Sequence, residues 1–195
     1  VANSGLLEDS VWVDGVQAQR QAGSTLKPFL YGLAIEKNRL TAASVIDDAP
    51  INISTPLGLY VPQNYEHDFK GAVTVRTALA SSLNVPAVLT LGKVGVEPFW
   101  QLLNDVGFNL QEQADYYGNA LALGGADITV WQLANAYRSL ANSGVWRDVR
   151  LTAKDAGSPS FPEKRILSSQ SSFIINTILS DRNARSLTFG YENPL

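Results

Sequence analysis

The 195-residue sequence contains no cysteine. That one absence removes thiol nucleophiles, disulfide staples and cysteine-ligated metals together, and it suits an oxidising compartment where stray thiols are a liability. Histidine is nearly absent too, since His67 stands alone. A Ser-His-Asp triad would have to run through that residue, and a histidine-based metal site, which ordinarily takes two or more, is all but excluded. Base catalysis near neutral pH therefore falls to a lysine, a carboxylate or this one histidine. No stretch of 18 apolar residues occurs, so no membrane-spanning helix is written into the sequence. Val1 is not a start methionine and no signal-peptide pattern follows it, so the expectation is a piece of a longer protein. An excess of charge of one sign is missing as well. With 15 basic against 18 acidic residues the net charge is −3, which excludes the basic surplus of a nucleic-acid binder. What remains is 45% apolar residues in a single-domain length, enough for a sizeable core. That composition favours a catalytic or binding domain with a small-molecule or peptide partner.

Residues 1–22 are polar, with Gly5 and Gly15 as turn points. From Gly23 the pattern changes. Leu26, Phe29, Leu30 and Leu33 fall at helical spacing, while Tyr31, Ala34 and Ile35 make the other side apolar too. A helix apolar nearly all round belongs at the centre of its domain. Pro28 lies near its start, where a missing N–H costs little, and Glu36 to Arg39 mark its exit. Residues 44–72, with Pro50, Pro56 and Pro62, read as a long irregular surface segment with a short strand near Ile51–Ile53. Helices are expected over Val73–Leu83, stopped by Val85-Pro86, then over about 86–94 and 97–106, with Gly107 closing the latter. Gly124-Gly125 form a turn before a helix from Ile128 to Asn142, with Thr129 and Gln132 as a capping box and Gly144 as its C-terminal glycine. Residues 147–165 read as a loop, and a last helix runs from Ser169 to Leu179. Strand signals are too few for a sheet of its own.

The strongest local feature is Gly23-Ser24-Thr25-Leu26-Lys27-Pro28-Phe29. A serine and a lysine three apart on a helix share a face, so Lys27 Nζ can reach Ser24 Oγ. A lysine on a buried apolar helix has its charged form disfavoured, which lowers its pKa toward the range of a useful base. Ser24 in the first turn also sits near unpaired N–H groups, one of which can face an oxyanion. Against this, Ser-x-x-Lys arises by chance, and the plain alternative is a helix-capping serine beside a solvated lysine. The second feature is Ser81-Ser82-Leu83-Asn84-Val85-Pro86. A helix end broken by proline can project Ser82 and Asn84 into a cleft, the hydroxyl as a proton relay and the carboxamide as a binder of a substrate amide. The alternative is a helix C-terminus whose polar residues meet solvent.

Taken together the two features follow an order, S-x-x-K then S-x-N, shared by penicillin-binding proteins and serine β-lactamases. The run Arg20 to Phe29, R-Q-A-G-S-T-L-K-P-F, resembles the R-Q-P-G-S-T-F-K-P-F stretch of class A high-molecular-weight penicillin-binding proteins. Pro62-Gln63-Asn64-Tyr65, Phe69-Lys70-Gly71, Ala78 to Val88, Ala122 to Ala126 and Leu133 to Gly144 are similar to that family's following segments in the same order. The resemblance covers roughly residues 1–185, and its wording is most like the 1C branch.

It implies an α/β (α+β) fold, the transpeptidase and serine β-lactamase type. This chain would be mainly the helical part, one partial transpeptidase domain over 1–195. It also implies roles. Ser24 would attack the carbonyl between two D-alanines of a peptidoglycan stem peptide, and the acyl group would pass to an amine on a neighbouring strand. Lys27 would deprotonate Ser24, Ser82 would relay the proton, and Asn84 would hold the donor peptide's amide. β-Lactams would acylate Ser24. No cofactor or metal is implied. The partners would be stem peptides, β-lactams, the rest of the transpeptidase domain and a glycosyltransferase module, with no nucleic acid and no membrane contact by this segment. The place would be the periplasmic face of the bacterial inner membrane, in a membrane-anchored parent. A D-Ala-D-Ala carboxypeptidase or β-lactamase using the same serine, and a non-catalytic β-lactam sensor, are the rivals.

One departure stands out. The family's third motif, K-T-G or K-S-G, is absent: none of the six lysines, Lys27, Lys37, Lys70, Lys93, Lys154 and Lys164, is followed by Thr-Gly or Ser-Gly. The expectation is therefore that N-terminal strands and the K-T-G strand lie outside these residues and that the chain alone is inactive. Among the other polar residues, His67 reads as solvated, and so do the Asp47-Asp48 and Glu66/Asp68 pairs, which lack a calcium-loop spacing. Trp100, Trp131 and Trp146 read as packing residues. Trp12, just upstream of Ser24, is a candidate cleft residue.

Overall fold

The computed structural model describes residues 13–55, 58–64, 68–149, 152 and 163–192. Strand β1 (Arg20–Gln21) leads into one 3-10 turn (Gly23–Leu26) and directly into α1 (Lys27–Glu36). Three strands follow, β2 (Val45–Asp48), β3 (Ile53–Thr55) and β4 (Gly58–Tyr60), and then β5 (Gly71–Thr74). The helices α2 (Val75–Ala80), α3 (Asn84–Val94), α4 (Val96–Asp105) and α5 (Ala114–Tyr117) come next, with a 3-10 segment over Gly118–Leu123. Beyond them lie β6 (Asp127–Ile128), α6 (Val130–Ala141), β7 (Val145–Trp146), β8 (Lys164–Arg165), α7 (Ser169–Ser180) and α8 (Ser186–Phe189). Among the described residues every sheet is an antiparallel pair: β1 with β6, β2 with β5, β3 with β4 and β7 with β8. The fold is mixed α/β, as the family resemblance implies, and rich in helix, as the sequence pattern implies.

The hub is α1. Every residue from Lys27 to Ala34 is buried, and α2, α3, α4 and α7 all pack on it. Burying each of Phe29, Leu30 and Leu33 contributes roughly 1.5–3 kcal/mol, so the helix that carries Lys27 is firmly held. Pro28 sits in its first turn, where no donor is required. Phe29 meets Phe108 and Tyr137 edge-on, with ring centroids 6.1 and 5.4 Å apart.

Several boundaries differ from the sequence reading. Residues 44–72 are not one irregular segment, because β2 and β5 pair in register from Val45↔Thr74 to Asp48↔Gly71, and β3 and β4 form a hairpin. The partners are too far apart in sequence for local pattern to reveal. Val73 consequently belongs to β5, and α2 starts only after Thr74, whose hydroxyl accepts from Thr77 N. Asp127 and Ile128 pair with β1, which delays α6 to Val130. The capping box is formed: Gln132 N donates to Thr129 Oγ1 and Thr129 N to Gln132 Oε1. At the far end of α6, Ser143 takes the left-handed position and Gly144 N bonds Ser139 O, closing a Schellman turn. The segments α5, Gly118–Leu123 and α8 are too short to show a period. Much of the expected 147–165 loop lies outside the described residues, and its end, Lys164–Arg165, pairs with β7.

Candidate active site

The Ser24 turn is fixed by the Gly124–Ala126 strip. Ala22 N donates to Ala126 O at 2.9 Å and Gly23 N to Gly124 O at 3.0 Å. Thr25 Oγ1 closes back on Ala22 O, and Tyr137 OH donates to Thr25 O at 2.9 Å. Burial pushes the Tyr137 phenol up to about 12, so it remains a neutral donor. Held this way, Ser24 is exposed at the rim of a cleft of about 380 Å³.

One turn on, Lys27 is only 1% exposed. Its Nζ donates to Ser82 O (2.6 Å), Ser82 Oγ (3.2 Å) and Asn84 Oδ1 (2.7 Å). These acceptors occupy the three donor positions of an ammonium. Burial lowers its pKa from 10.5 to about 7, because a charge without water around it is disfavoured. The amine is thus poised to exist in both forms at neutral pH.

The acceptors are aimed by the end of α2. Ser82 N bonds Leu79 O and Leu83 N bonds Ala78 O, a Schellman closure in which the left-handed position is filled by Ser82, at φ +56°. A serine where glycine is usual turns both its carbonyl and its hydroxyl toward Lys27. The chain then restarts as α3 at Asn84. Asn84 N donates to Asn64 Oδ1 and Asn84 Nδ2 to Gln63 O, both at 2.8 Å. Asn64 Nδ2 in turn donates to Asp48 Oδ1 (3.0 Å), Asp48 Oδ2 (2.8 Å) and Asp68 O (2.9 Å). Opposite, Thr188 and Phe189 of α8 line the cleft. Thr188 Oγ1 donates to Ser81 O, Ser81 Oγ donates to Ala184 O, and Arg76 pairs with Asp181.

The four residues singled out from sequence, Ser24, Lys27, Ser82 and Asn84, meet at this one place. The detail differs from expectation in one respect: Lys27 Nζ turns to Ser82 and Asn84, and Ser24 Oγ is not among its partners. Asp48, expected from its Pro- and Asn-bearing surroundings to be solvated, is fully buried. The alternation of β2 points Ile46 and Asp48 inward and Val45 and Asp47 outward. Asn64 and Asp48 carry no motif pointing to each other; only the V-I-D-D alternation and the Pro62–Tyr65 segment hinted at them. Trp12, Glu66 and His67 lie outside the described residues. Among the described residues no three His, Cys, Asp or Glu side chains cluster as metal ligands, and no helix is long and apolar enough to cross a membrane.

Comparison with known proteins bears on this geometry. The family profile of the penicillin binding protein transpeptidase domain matches residues 5–189. Penicillin-binding protein 1C of Escherichia coli is 35% identical over 170 residues, covering 87% of this chain and 21% of its own length. Penicillin-binding protein 1A of Neisseria meningitidis is 37% identical over 132 residues, 66% of this chain and 16% of its own. The chain thus spans about a fifth or less of the length of these relatives. In three dimensions it resembles penicillin-binding protein 1A of Haemophilus influenzae, with a TM-score of 0.71 at 26% identity, over 93% of this chain and 31% of that one. The match over 5–189 takes in the Ser24 turn, the Ser82–Asn84 turn and the strip behind them, and the chain belongs to the transpeptidase domain family of penicillin-binding proteins.

Proposed function

We propose that this chain is part of a peptidoglycan D,D-transpeptidase that works through an acyl-enzyme on Ser24. The observation that carries the reading is Lys27: a buried amine with a pKa near 7, one helical turn from an exposed serine and hydrogen-bonded to Ser82 and Asn84. A neutral amine keeps two N–H groups for two of its present acceptors and frees a lone pair that can turn to Ser24 Oγ. Ser24 Oγ then bonds the carbonyl carbon between two D-alanines while its proton passes to Lys27. The C–N bond breaks, and the proton returns through Ser82 to the leaving D-alanine amine. Asn84 Nδ2 and Oδ1 offer a donor and an acceptor to the donor peptide. An amine of a second stem peptide attacks the ester, forms the cross-link and regenerates Ser24. β-Lactams enter at the first step, because their ring amide is attacked in the same way.

The sequence holds no K-T-G or K-S-G, so the remaining wall of the cleft is assigned to a part of the domain outside these 195 residues, and the chain by itself is expected to be inactive. The parent is placed at the periplasmic face of the inner membrane, membrane-anchored and carrying a glycosyltransferase module. The test uses that parent protein. Incubation with a fluorescent penicillin followed by peptide mass mapping is expected to put the label on Ser24; label on another residue overturns the mechanism. Label that persists for hours separates a transpeptidase from a β-lactamase, and cross-linked rather than trimmed product separates it from a carboxypeptidase.

A pH profile checks the base. Attack needs the neutral amine, so the acylation rate is expected to rise through an inflection near pH 7 and level off above it. A solvated lysine would place that inflection near 10.5. The same group shapes stability: the unfolded chain holds this proton up to about 10.5 and the folded chain releases it near 7. The unfolded state therefore binds more protons between those values, and Lys27 makes the fold more stable as pH rises through that window.

A further inference from the structure

We infer that Asp48 and Asn64 are positioning residues for Lys27, forming a buried relay from strand β2 to the base; this rests on the transpeptidase reading above. Helix α3 begins without help from its own N-cap, since Leu83 has no side chain able to accept. Asn64 supplies the missing acceptor from a different part of the chain, taking Asn84 N–H on its Oδ1. That works only if the Asn64 amide is turned the right way round, because its nitrogen presented to Asn84 N–H would set donor against donor. Asp48 makes that choice together with the Asp68 carbonyl, which also accepts from Asn64 Nδ2 at 2.9 Å. Both of its carboxylate oxygens accept from Asn64 Nδ2, a second donor comes from Lys70 N at 2.9 Å, and a carboxylate cannot donate back. Asp48 is fully buried and Asn64 is 5% exposed, so water cannot substitute. The consequence reaches the base. Asn84 Oδ1 receives Lys27 Nζ while Asn84 N is pinned by Asn64, so the acceptor that steers the amine is held at two points. Asp68 and Lys70 are the charged side chains that line the cleft itself, and they pair with each other.

The experiment measures penicillin acylation of the parent protein, as rate against pH, with melting temperature alongside. Asp48→Asn is nearly isosteric but puts a carboxamide, able to donate as well as accept, against Asn64, and so leaves the Asp68 carbonyl alone to hold the Asn64 amide. It is expected to lower the acylation rate about 10- to 100-fold and to move the inflection away from that of the unaltered protein. Asn64→Asp alone loses the donor to Asp48 and sets two carboxylates together, and a similar or larger loss is expected. The exchanged pair, Asp48→Asn with Asn64→Asp, restores one donor facing one carboxylate, with an oxygen still available to Asn84 N–H. Because an aspartate at 64 has no donor for the Asp68 carbonyl, it is expected to recover only part of the rate, clearly above either single change, with its inflection shifted upward because the negative charge now lies one step nearer Lys27. A rate and inflection unchanged in Asp48→Asn would overturn the inference, and so would a lowered melting temperature with an unmoved pH profile and no rescue in the exchanged pair. Failure of the unaltered protein to take the label on Ser24 would instead overturn the transpeptidase reading itself.

Discussion

Alanine at position 24 should leave the parent protein unable to take up penicillin covalently at all, whereas methionine at position 27 should slow uptake without erasing it. The first change removes the hydroxyl proposed to form the ester, and the sequence has no cysteine to take its place. The second removes the proton acceptor and leaves the hydroxyl. General-base assistance is worth about 10²–10⁴-fold, and a drop of that size in the second-order acylation rate is expected. Stability should move far less. Methionine fills nearly the same buried space, and the three oxygens that lose their donor, Ser82 O, Ser82 Oγ and Asn84 Oδ1, are offset by removal of an amine that burial already disfavours. The net change is expected to stay within about 2 kcal/mol. Gel fluorescence gives the rate and a thermal melt gives the control. Wild-type labelling by Lys27→Met would sink the assignment of the base, and any residual label at the normal position in Ser24→Ala would sink that of the nucleophile.

The other large effect is expected at a residue with no chemistry of its own, Gly124. This residue lies at φ +79°, and a Cβ built on it would stand 1.9 Å from Gly23 O and 2.3 Å from Gly23 C and N. The obstacle is backbone, so no rotamer change relieves it. Gly23 N is also hydrogen-bonded to Gly124 O, so pushing the strands apart breaks the contact that holds the Ser24 turn. Gly124→Ala is expected to cost about 3–5 kcal/mol, a fall in melting temperature of roughly 6–20 °C for a domain of this size. Acylation should fall in whatever folded protein remains, because the relief must come through Gly23-Ser24. The neighbouring Gly125→Ala is the internal control. There the nearest atom is Ala120 Cβ at 3.1 Å and φ is not positive, so a side chain has only to shift by a few tenths of an ångström. A Gly124→Ala protein melting within a degree or two of the unaltered one would refute this account of the turn.

The two changes mark how differently the site was legible. The buried helix α1 could be read directly, because apolar residues on every side of a helix leave it nowhere to go but inward. The Lys27 desolvation followed from the same pattern. The capping box at Thr129 and the extent of α7 were equally local. The region between residues 44 and 74 was not, since β2 finds β5 across more than twenty residues and each strand alone looks like punctuated loop. Asp48 shows the consequence: a carboxylate in a Pro- and Asn-bearing stretch looked solvated, and only the pairing of β2 decides that its side chain faces inward.

By itself, then, the sequence determined which residues are the candidates for the proposed chemistry, Ser24 and Lys27 one turn apart and Ser82 with Asn84 beside a proline-bounded turn, because reactivity belongs to residue types and helical spacing is local. The tertiary structure alone decided where those groups point. Lys27 Nζ is directed to Ser82 and Asn84 rather than to Ser24, Ser82 occupies a left-handed position that aims its carbonyl, and Asn64 and Asp48 stand behind them. Contacts between residues 55 and 57 positions apart are set by how helices and strand pairs pack, and packing energy is shared over the whole core rather than written at any one position.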